Sequence, residues 1–275
     1  MKGMLDMFVF FDIGDTLVDE ADFARLRHAS VYRFLRERGY TLSEEQYTTD
    51  LNNLSMQGRL TLFDQLKWWA GTVGGDTLLA MAAFRNYTLH VAPEAPARFV
   101  PFPDARATLE RLARPRDGGT RYRLGIIANQ PTWIRARMAE WGLLDLFVPD
   151  CVIISDEVAV SKPQPEIFQF ALQQAGVPPD EAVMAGNDYT HDILPAKRLG
   201  MRTIWIERED PYSPGTPPIA DPWAADARVT QLAQVPAALA RVERLAHGNG
   251  NGHKPPRQRT NTGPPGAGVS KGQFT

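Results

Sequence analysis

Short apolar or β-branched runs alternate with longer amphipathic stretches along much of the chain, and the two periods predict different elements. Phe8 to Phe11, Leu124 to Ala128, Val152 to Ile154, Ala182 to Ala185 and Thr203 to Ile206 are short enough, and apolar enough throughout, to be strands buried on both faces. The stretches between them read as crossover helices. Examples are Thr132 to Trp141 and Pro165 to Ala175, where Pro165 suits the first helical turn. Strands separated by helices predict an α/β fold, a parallel sheet flanked by helices. The crevice of such a sheet lies at the carboxyl ends of its strands, which is where Asp12, Asn129, Ser155 and Gly186 fall.

Residues 20–100 break the alternation. Phe23, Leu26, Val31, Phe34 and Leu35 share one side of a helical period. Ser43-Glu44-Glu45-Gln46 has the form of a capping box, and Gly39, Gly58 and the Gly74-Gly75 pair punctuate further helical segments. The pattern predicts an all-helical cap subdomain, with Trp68 and Trp69 in its core. Inserted at a strand end, it is placed to cover the crevice, select substrate and exclude water. The expected organisation is a core of residues 1–19 and 101–245, a helical cap of residues 20–100, and a Gly-, Asn- and Pro-rich basic tail of residues 246–275 that is expected to be disordered.

With 275 residues, 43% of them hydrophobic, the chain can bury one large core plus a smaller companion. Its net charge of -2 supplies no field to attract nucleic acid or an anionic membrane, so neither is an expected partner. Met7 to Phe11 is too short to span a bilayer, and no leader or membrane anchor is expected. Cys151 is the single cysteine, in a buried-strand pattern, and a cytoplasmic, reducing location is expected. These patterns leave the oligomeric state open.

The predicted strand ends carry the candidate chemistry. An unprotonated carboxylate there, such as Asp12, can attack phosphorus and form an aspartyl-phosphate, dividing one hard displacement into two easier ones. Attack on an anionic phosphate needs its charge neutralised, which Lys162 and an oxygen-coordinated magnesium ion held through Asp192 can supply. Each residue alone has a plainer reading. Asp12 suits a turn, Lys162 an exposed charge, Asp188 and Asp192 helix N-caps, and His191 a structural contact.

Their company changes the reading. Phe10-Phe11-Asp12-Ile13-Gly14-Asp15-Thr16-Leu17, then Leu124-Gly125-Ile126-Ile127-Ala128-Asn129, then Ser161-Lys162-Pro163-Gln164-Pro165-Glu166-Ile167-Phe168, then Ala185-Gly186-Asn187-Asp188-Tyr189-Thr190-His191-Asp192 resemble, in order, the four signature motifs of the haloacid dehalogenase-like (HAD) hydrolase superfamily. The resemblance covers about residues 7–240. It implies a Rossmann-like core with the helical cap between the first and second motifs, and a phosphatase of a small phosphorylated metabolite. Asp12 is then the nucleophile and Lys162 its cationic partner. Magnesium, Mg2+, is implied at Asp12, the main-chain carbonyl of Gly14, Asp192 and Asn187, with Asp188 as an alternative to Asn187. The substrate phosphate is implied at Thr16, Ala128, Asn129 and Lys162.

Three positions depart from the family pattern. Gly14 stands where the family's phosphatases usually carry a second Asp, the general acid and base, a function worth roughly 10² to 10⁴-fold in rate. Asp15 is the adjacent candidate to replace it. Ala128 lacks the usual hydroxyl, and Asn187 lacks one negative charge. An active phosphatase without that Asp is expected to prefer acyl or aryl phosphates, whose leaving groups need little protonation. The alternative is a catalytically weak or inactive homologue that binds a phosphorylated ligand or protein partner, although binding alone would not require Asp12, Lys162 and Asp192 together. Carbon-halogen cleavage dispenses with the metal. Carbon-phosphorus cleavage would need a cap lysine, for which Lys67 is the candidate.

Overall fold

The computed structural model describes residues 7–41, 43–56, 62–72, 74–75, 77–114, 122–207 and 225–248. The strands among them are β1 (Phe8–Phe11), β2 (Val18–Asp19), β3 (Val100–Pro101), β4 (Arg123–Ala128), β5 (Val152–Ile154), β6 (Ala182–Gly186), β7 (Arg202–Ile206) and β8 (Ala227–Val229). Six of them form a parallel sheet in the order β5-β4-β1-β6-β7-β8. All five strands expected from the apolar runs are present in it.

β1 lies near the middle of the sheet, and none of its four side chains reaches solvent. Alternation sends Val9 and Phe11 into one apolar layer with Leu109, Ile134, Met138 and Leu239, and Phe8 and Phe10 into the other with Ile167, Phe168 and Ala171. Helices Ala105–Ala113, Trp133–Glu140 and Val235–Gly248 supply the first layer, and Pro165–Ala175 and Leu194–Arg198 the second. The fold is therefore the expected Rossmann-like α/β sandwich. From β1 the chain builds outward to β4 and β5, then returns to β6 on the other side of β1. That reversal opens a crevice at the carboxyl end of β1, where Asp12 begins the next loop.

Residues between β2 and β3 form helices α1 (Ala21–Arg36), α2 (Glu44–Met56), α3 (Leu62–Thr72) and α4 (Thr77–His90). The chain leaves and re-enters through neighbouring strands, because β2 pairs antiparallel with β3 in the register Val18 to Pro101 and Asp19 to Val100. These helices have their own core, which includes Val31, Leu35, Tyr47, Leu54, Leu66 and Trp69. Trp69 is fully buried and stacks on Tyr47 at 4.6 Å between ring centroids, and Trp68 packs partly buried against the same cluster. Ser43 Oγ accepts the Gln46 N–H at 3.2 Å, while the Gln46 side chain donates to Asp50, so the capping box is half formed. Phe23, Val91 and Phe99 join the layer beneath the sheet and anchor the base of the insertion to it.

Gly58 and residues 249–275, most of the expected tail, lie outside the described residues. The last helix extends to Gly248, three residues past the expected end of the core. No helix among the described residues is long and apolar enough to cross a membrane.

His28 gives the insertion a predictable response to acid. It is buried, its Nε2 lies 3.2 Å from the Arg27 guanidinium, and its Nδ1 lies 3.3 Å from the Tyr47 hydroxyl. A guanidinium only donates, so Nε2 accepts and Nδ1–H donates to Tyr47. Burial, and then the Arg27 charge, lower its pKa from 6.5 to about 3. Between these values the unfolded chain takes up a proton that the folded chain refuses, so stability falls as pH drops below about 6.5. At pH 4.5 the His28 contribution is a loss on the order of 2 kcal/mol. Urea midpoints at pH 7 and pH 4.5 check this: His28→Gln should lose less between the two than the wild type does.

Candidate active site

Asp12, just after β1, and Asp192, on the helical turn Tyr189–Ile193 after β6, reach the same point, and Lys162 joins them. Lys162 Nζ donates to Asp12 Oδ1 at 2.5 Å and to Asp192 Oδ1 at 2.6 Å. All three side chains are buried. Burial disfavours the charged form of Lys162, but Asp12 and Asp192 outweigh it and raise its pKa, so the ammonium is held charged. Burial raises the pKa of Asp192; the Lys162 charge opposes this, while those of Asp12 and Asp188 reinforce it. Two carboxylates thus share one ammonium in a site shielded from water.

Gly186, the last residue of β6, permits this approach. A Cβ added there would collide with Asp192 Oδ2 and lie 2.5 Å from its Cγ. Gly186→Ala should therefore displace Asp192 from Lys162 and destabilise the protein by about 1–3 kcal/mol, as overpacking does. Thermal unfolding of the variant measures the effect.

The surrounding residues hold the loops together. The Asn129 carboxamide bonds the Lys162 main chain twice: Nδ2 donates to its carbonyl and Oδ1 accepts its N–H, both at 2.8 Å. Expected at the substrate phosphate, Asn129 thus positions Lys162 while the residue itself stays exposed. Thr16 Oγ1 donates to Asn187 Oδ1 at 3.2 Å, joining the loops after β1 and β6. Thr16 and Ala128, also expected at the substrate phosphate, are fully buried.

Asp188 takes the helix-cap role. Its carboxylate accepts the N–H groups of Thr190 and His191, the Thr190 hydroxyl, and His191 Nδ1 at 2.7 Å. Burial would raise its pKa, but these partners, His191 foremost, bring it down to about 2. His191 is thus held against Asp188. Asp15 adopts a left-handed backbone (φ 51°), and its Oδ1 accepts the Glu20 N–H at 3.1 Å at the entry to α1.

Glu20, which the sequence pattern marked only as the boundary of the insertion, enters the site. Gln130 Nε2 donates to Glu20 Oε1 at 2.6 Å. The residue as a whole is half-buried, but its carboxyl end is enclosed, and burial, then Asp15, then Asp12, raise its pKa to about 8. Glu20 also lines a cleft of about 540 Å³ between the insertion and the core, with Phe23, Arg27 and Tyr87 on one wall and Asn129, Gln130, Trp133 and Ser161 on the other. This volume suits a small molecule. Lys67 is exposed on α3, which places the candidate Schiff-base lysine away from any desolvated pocket.

The donors suit a hard divalent cation. Asp12 and Asp192 leave one negative charge unmatched by Lys162, and the Gly14 carbonyl and Asn187 Oδ1 are further oxygen donors on the same loops. Among the described residues, no cluster of three or more His, Cys, Asp or Glu side chains forms a metal site, so main-chain and amide oxygens would have to complete the coordination.

The chain is similar to known proteins in sequence and in fold. The family profile of the haloacid dehalogenase-like hydrolases matches residues 7–200. A glyceraldehyde 3-phosphate phosphatase of Methanothermobacter thermautotrophicus is 32% identical over 204 residues, covering 73% of this chain and 85% of the relative. The crystal structure of a HAD phosphatase from Thermococcus onnurineus superposes with a TM-score of 0.53 at 30% identity, covering 85% of this chain and 97% of that one. A 2-haloacid dehalogenase from Pseudomonas syringae superposes with a TM-score of 0.51 at 27% identity, covering 86% and 98%. With its four motifs converging at the carboxyl ends of β1, β4 and β6, the chain belongs to the haloacid dehalogenase-like hydrolase family.

Proposed function

We propose that the protein is a Mg2+-dependent phosphatase of a small phosphorylated metabolite, working through an aspartyl-phosphate at Asp12. The observation that carries this reading is the buried Lys162 ammonium bonded to both Asp12 and Asp192 at the carboxyl ends of the sheet. Lys162 keeps Asp12 oriented and supplies positive charge where a phosphoryl group approaches. The burial of all three groups makes that charge count for more than it would in water. Asp12 attacks phosphorus and later leaves it when water arrives, regenerating the carboxylate.

Mg2+ would be held by Asp12, Asp192, the Gly14 carbonyl and Asn187, and when bound it neutralises charge on the transferring phosphoryl group. The carboxylates of the fourth motif, Asp188 and Asp192, also separate this reading from dehalogenation, which needs no cation. The helical insertion acts as the cap, and its Phe23, Arg27 and Tyr87 face the substrate across the cleft. The names of the similar phosphatases favour three-carbon phosphates as the first substrates to try.

The test is phosphate release from glyceraldehyde 3-phosphate, other sugar phosphates, nucleotides and acetyl phosphate, with Mg2+ and with a chelator. Release from at least one of these that depends on Mg2+ is expected. No release from any of them would contradict the proposal and favour a homologue that binds a phosphorylated ligand or protein partner without turning it over.

A further inference from the structure

Gly14 removes a side chain from the loop after β1, and the room is filled from another element. A Cβ built on Gly14 would lie 2.5 Å from Glu20 Oε1, 2.8 Å from Glu20 Cδ and 3.1 Å from Gln130 Nε2. An aspartate's own carboxylate oxygens stand ~2.4 Å from its Cβ, by ordinary bond lengths and angles. The Glu20 carboxyl therefore fills space beside Gly14 that a side chain at position 14 would need. Two contacts hold it there: Gln130 Nε2 on Oε1 at 2.6 Å, and Asp15 Oδ1 on the Glu20 N–H at 3.1 Å. Glu20 precedes α1 and makes no side-chain cap to that helix, so its carboxyl is not spent on helix capping. It lines the cleft between the insertion and the core.

From this geometry we infer that Glu20 is the general acid and base of the reaction, delivered from the start of the helical insertion in place of a side chain at position 14. The inference rests on the phosphatase reading above. In the first step the Asp12 carboxylate forms a bond to phosphorus, and the bond from phosphorus to the ester oxygen breaks. The electron pair goes to that oxygen, which takes the proton of the Glu20 carboxyl and departs as an alcohol. In the second step water attacks phosphorus and gives a proton to the Glu20 carboxylate. The bond from phosphorus to Asp12 breaks with its electrons returning to Asp12, leaving inorganic phosphate and a protonated Glu20. With this acid in place, wild-type turnover of alkyl phosphates should not lag behind that of aryl phosphates, contrary to the preference expected from Gly14 alone.

The experiment compares wild type, Glu20→Gln, Glu20→Ala, and Glu20→Ala combined with Gly14→Asp, by rapid-mixing kinetics with p-nitrophenyl phosphate and with the best alkyl phosphate of the panel. Glu20→Gln should release a rapid burst of nitrophenolate, about one per enzyme, followed by steady turnover reduced about 10²–10⁴-fold, because the second step has lost its base. With the alkyl phosphate it should show no burst and a loss of similar size. Gly14→Asp should raise the activity of Glu20→Ala by about tenfold or more, since removing Glu20 vacates the space and the new carboxyl enters it.

Glu20→Gln turning over within about threefold of wild type would overturn the inference. So would a loss without a burst that Gly14→Asp does not repair, which is the signature of a residue that only positions the cap. An inert wild type would overturn the phosphatase reading itself, and this inference with it. An active wild type with indifferent Glu20 variants leaves that reading standing and removes this inference alone.

Discussion

Replacing Asp12 by asparagine is expected to lower phosphate release by on the order of 10⁴-fold or more, the scale on which hydrolases respond to losing a covalent nucleophile. The substitution keeps the shape of the side chain and removes the oxygen nucleophile. Stability should move the other way. Asp12 and Asp192 share one ammonium, so the wild-type cluster carries one unmatched buried negative charge. With a neutral carboxamide in place of Asp12, Lys162 and Asp192 would remain as a balanced pair, and thermal unfolding at neutral pH without added metal should occur at or above the wild-type temperature. A catalytic role predicts this opposition of activity and stability, because functional sites hold charges that the fold alone would not choose. An Asp12 that served only as a turn residue would give the reverse, a loss of stability with activity retained.

Lys162→Met should be among the most damaging single changes. Methionine fills similar space but leaves two carboxylates facing each other in a buried site, and removing one partner of a buried ion pair costs about 3–5 kcal/mol. For a domain of this size the loss corresponds to a fall in melting temperature on the order of 10 °C. Adding Asp12→Asn to Lys162→Met should recover part of the loss, since only one buried carboxylate then lacks its partner. A double-mutant cycle read by thermal unfolding measures the coupling. Independent, additive effects would show that the 2.5 Å contact between Lys162 and Asp12 does not carry the energy assigned to it.

Much of the architecture was legible because strands buried on both faces leave continuous apolar runs. Phe8 to Phe11 and Val152 to Ile154 coincide with β1 and β5. β8 escaped notice because Ala227–Val229 is three residues long with Arg228 at its centre, and its pairing with β7 is a long-range event that no local period announces. The β2–β3 ribbon is two residues on each side, set by where the insertion leaves and returns.

At the site, the motif spacing singled out Asp12, Lys162 and Asp192, and the fold brings these three side chains together. The partner choices of Asn129 and Asp188 were less visible. A carboxamide that binds phosphate and one that clasps a neighbouring main chain look the same in a sequence, and only the fold puts Lys162 within 2.8 Å of Asn129. Glu20 was hidden for a stronger reason. The sequence shows a missing side chain at Gly14, but nothing in the spacing from 14 to 20 says that a residue at the base of a helix folds back over the gap. An acid-base residue absent from its usual place was the one available signal, and it pointed first to Asp15, whose carboxylate turns to the Glu20 main chain instead.

The central claim is that phosphate passes through Asp12, and trapping the intermediate tests it most directly. The enzyme is mixed with Mg2+ and a phosphate-labelled form of its best substrate, quenched in acid during the first turnover, and digested for peptide mapping. The account predicts label on the peptide that contains Asp12, released by hydroxylamine as acyl phosphates are, and absent from Asp12→Asn. Turnover with no label on that peptide, or label that persists in Asp12→Asn, would contradict it.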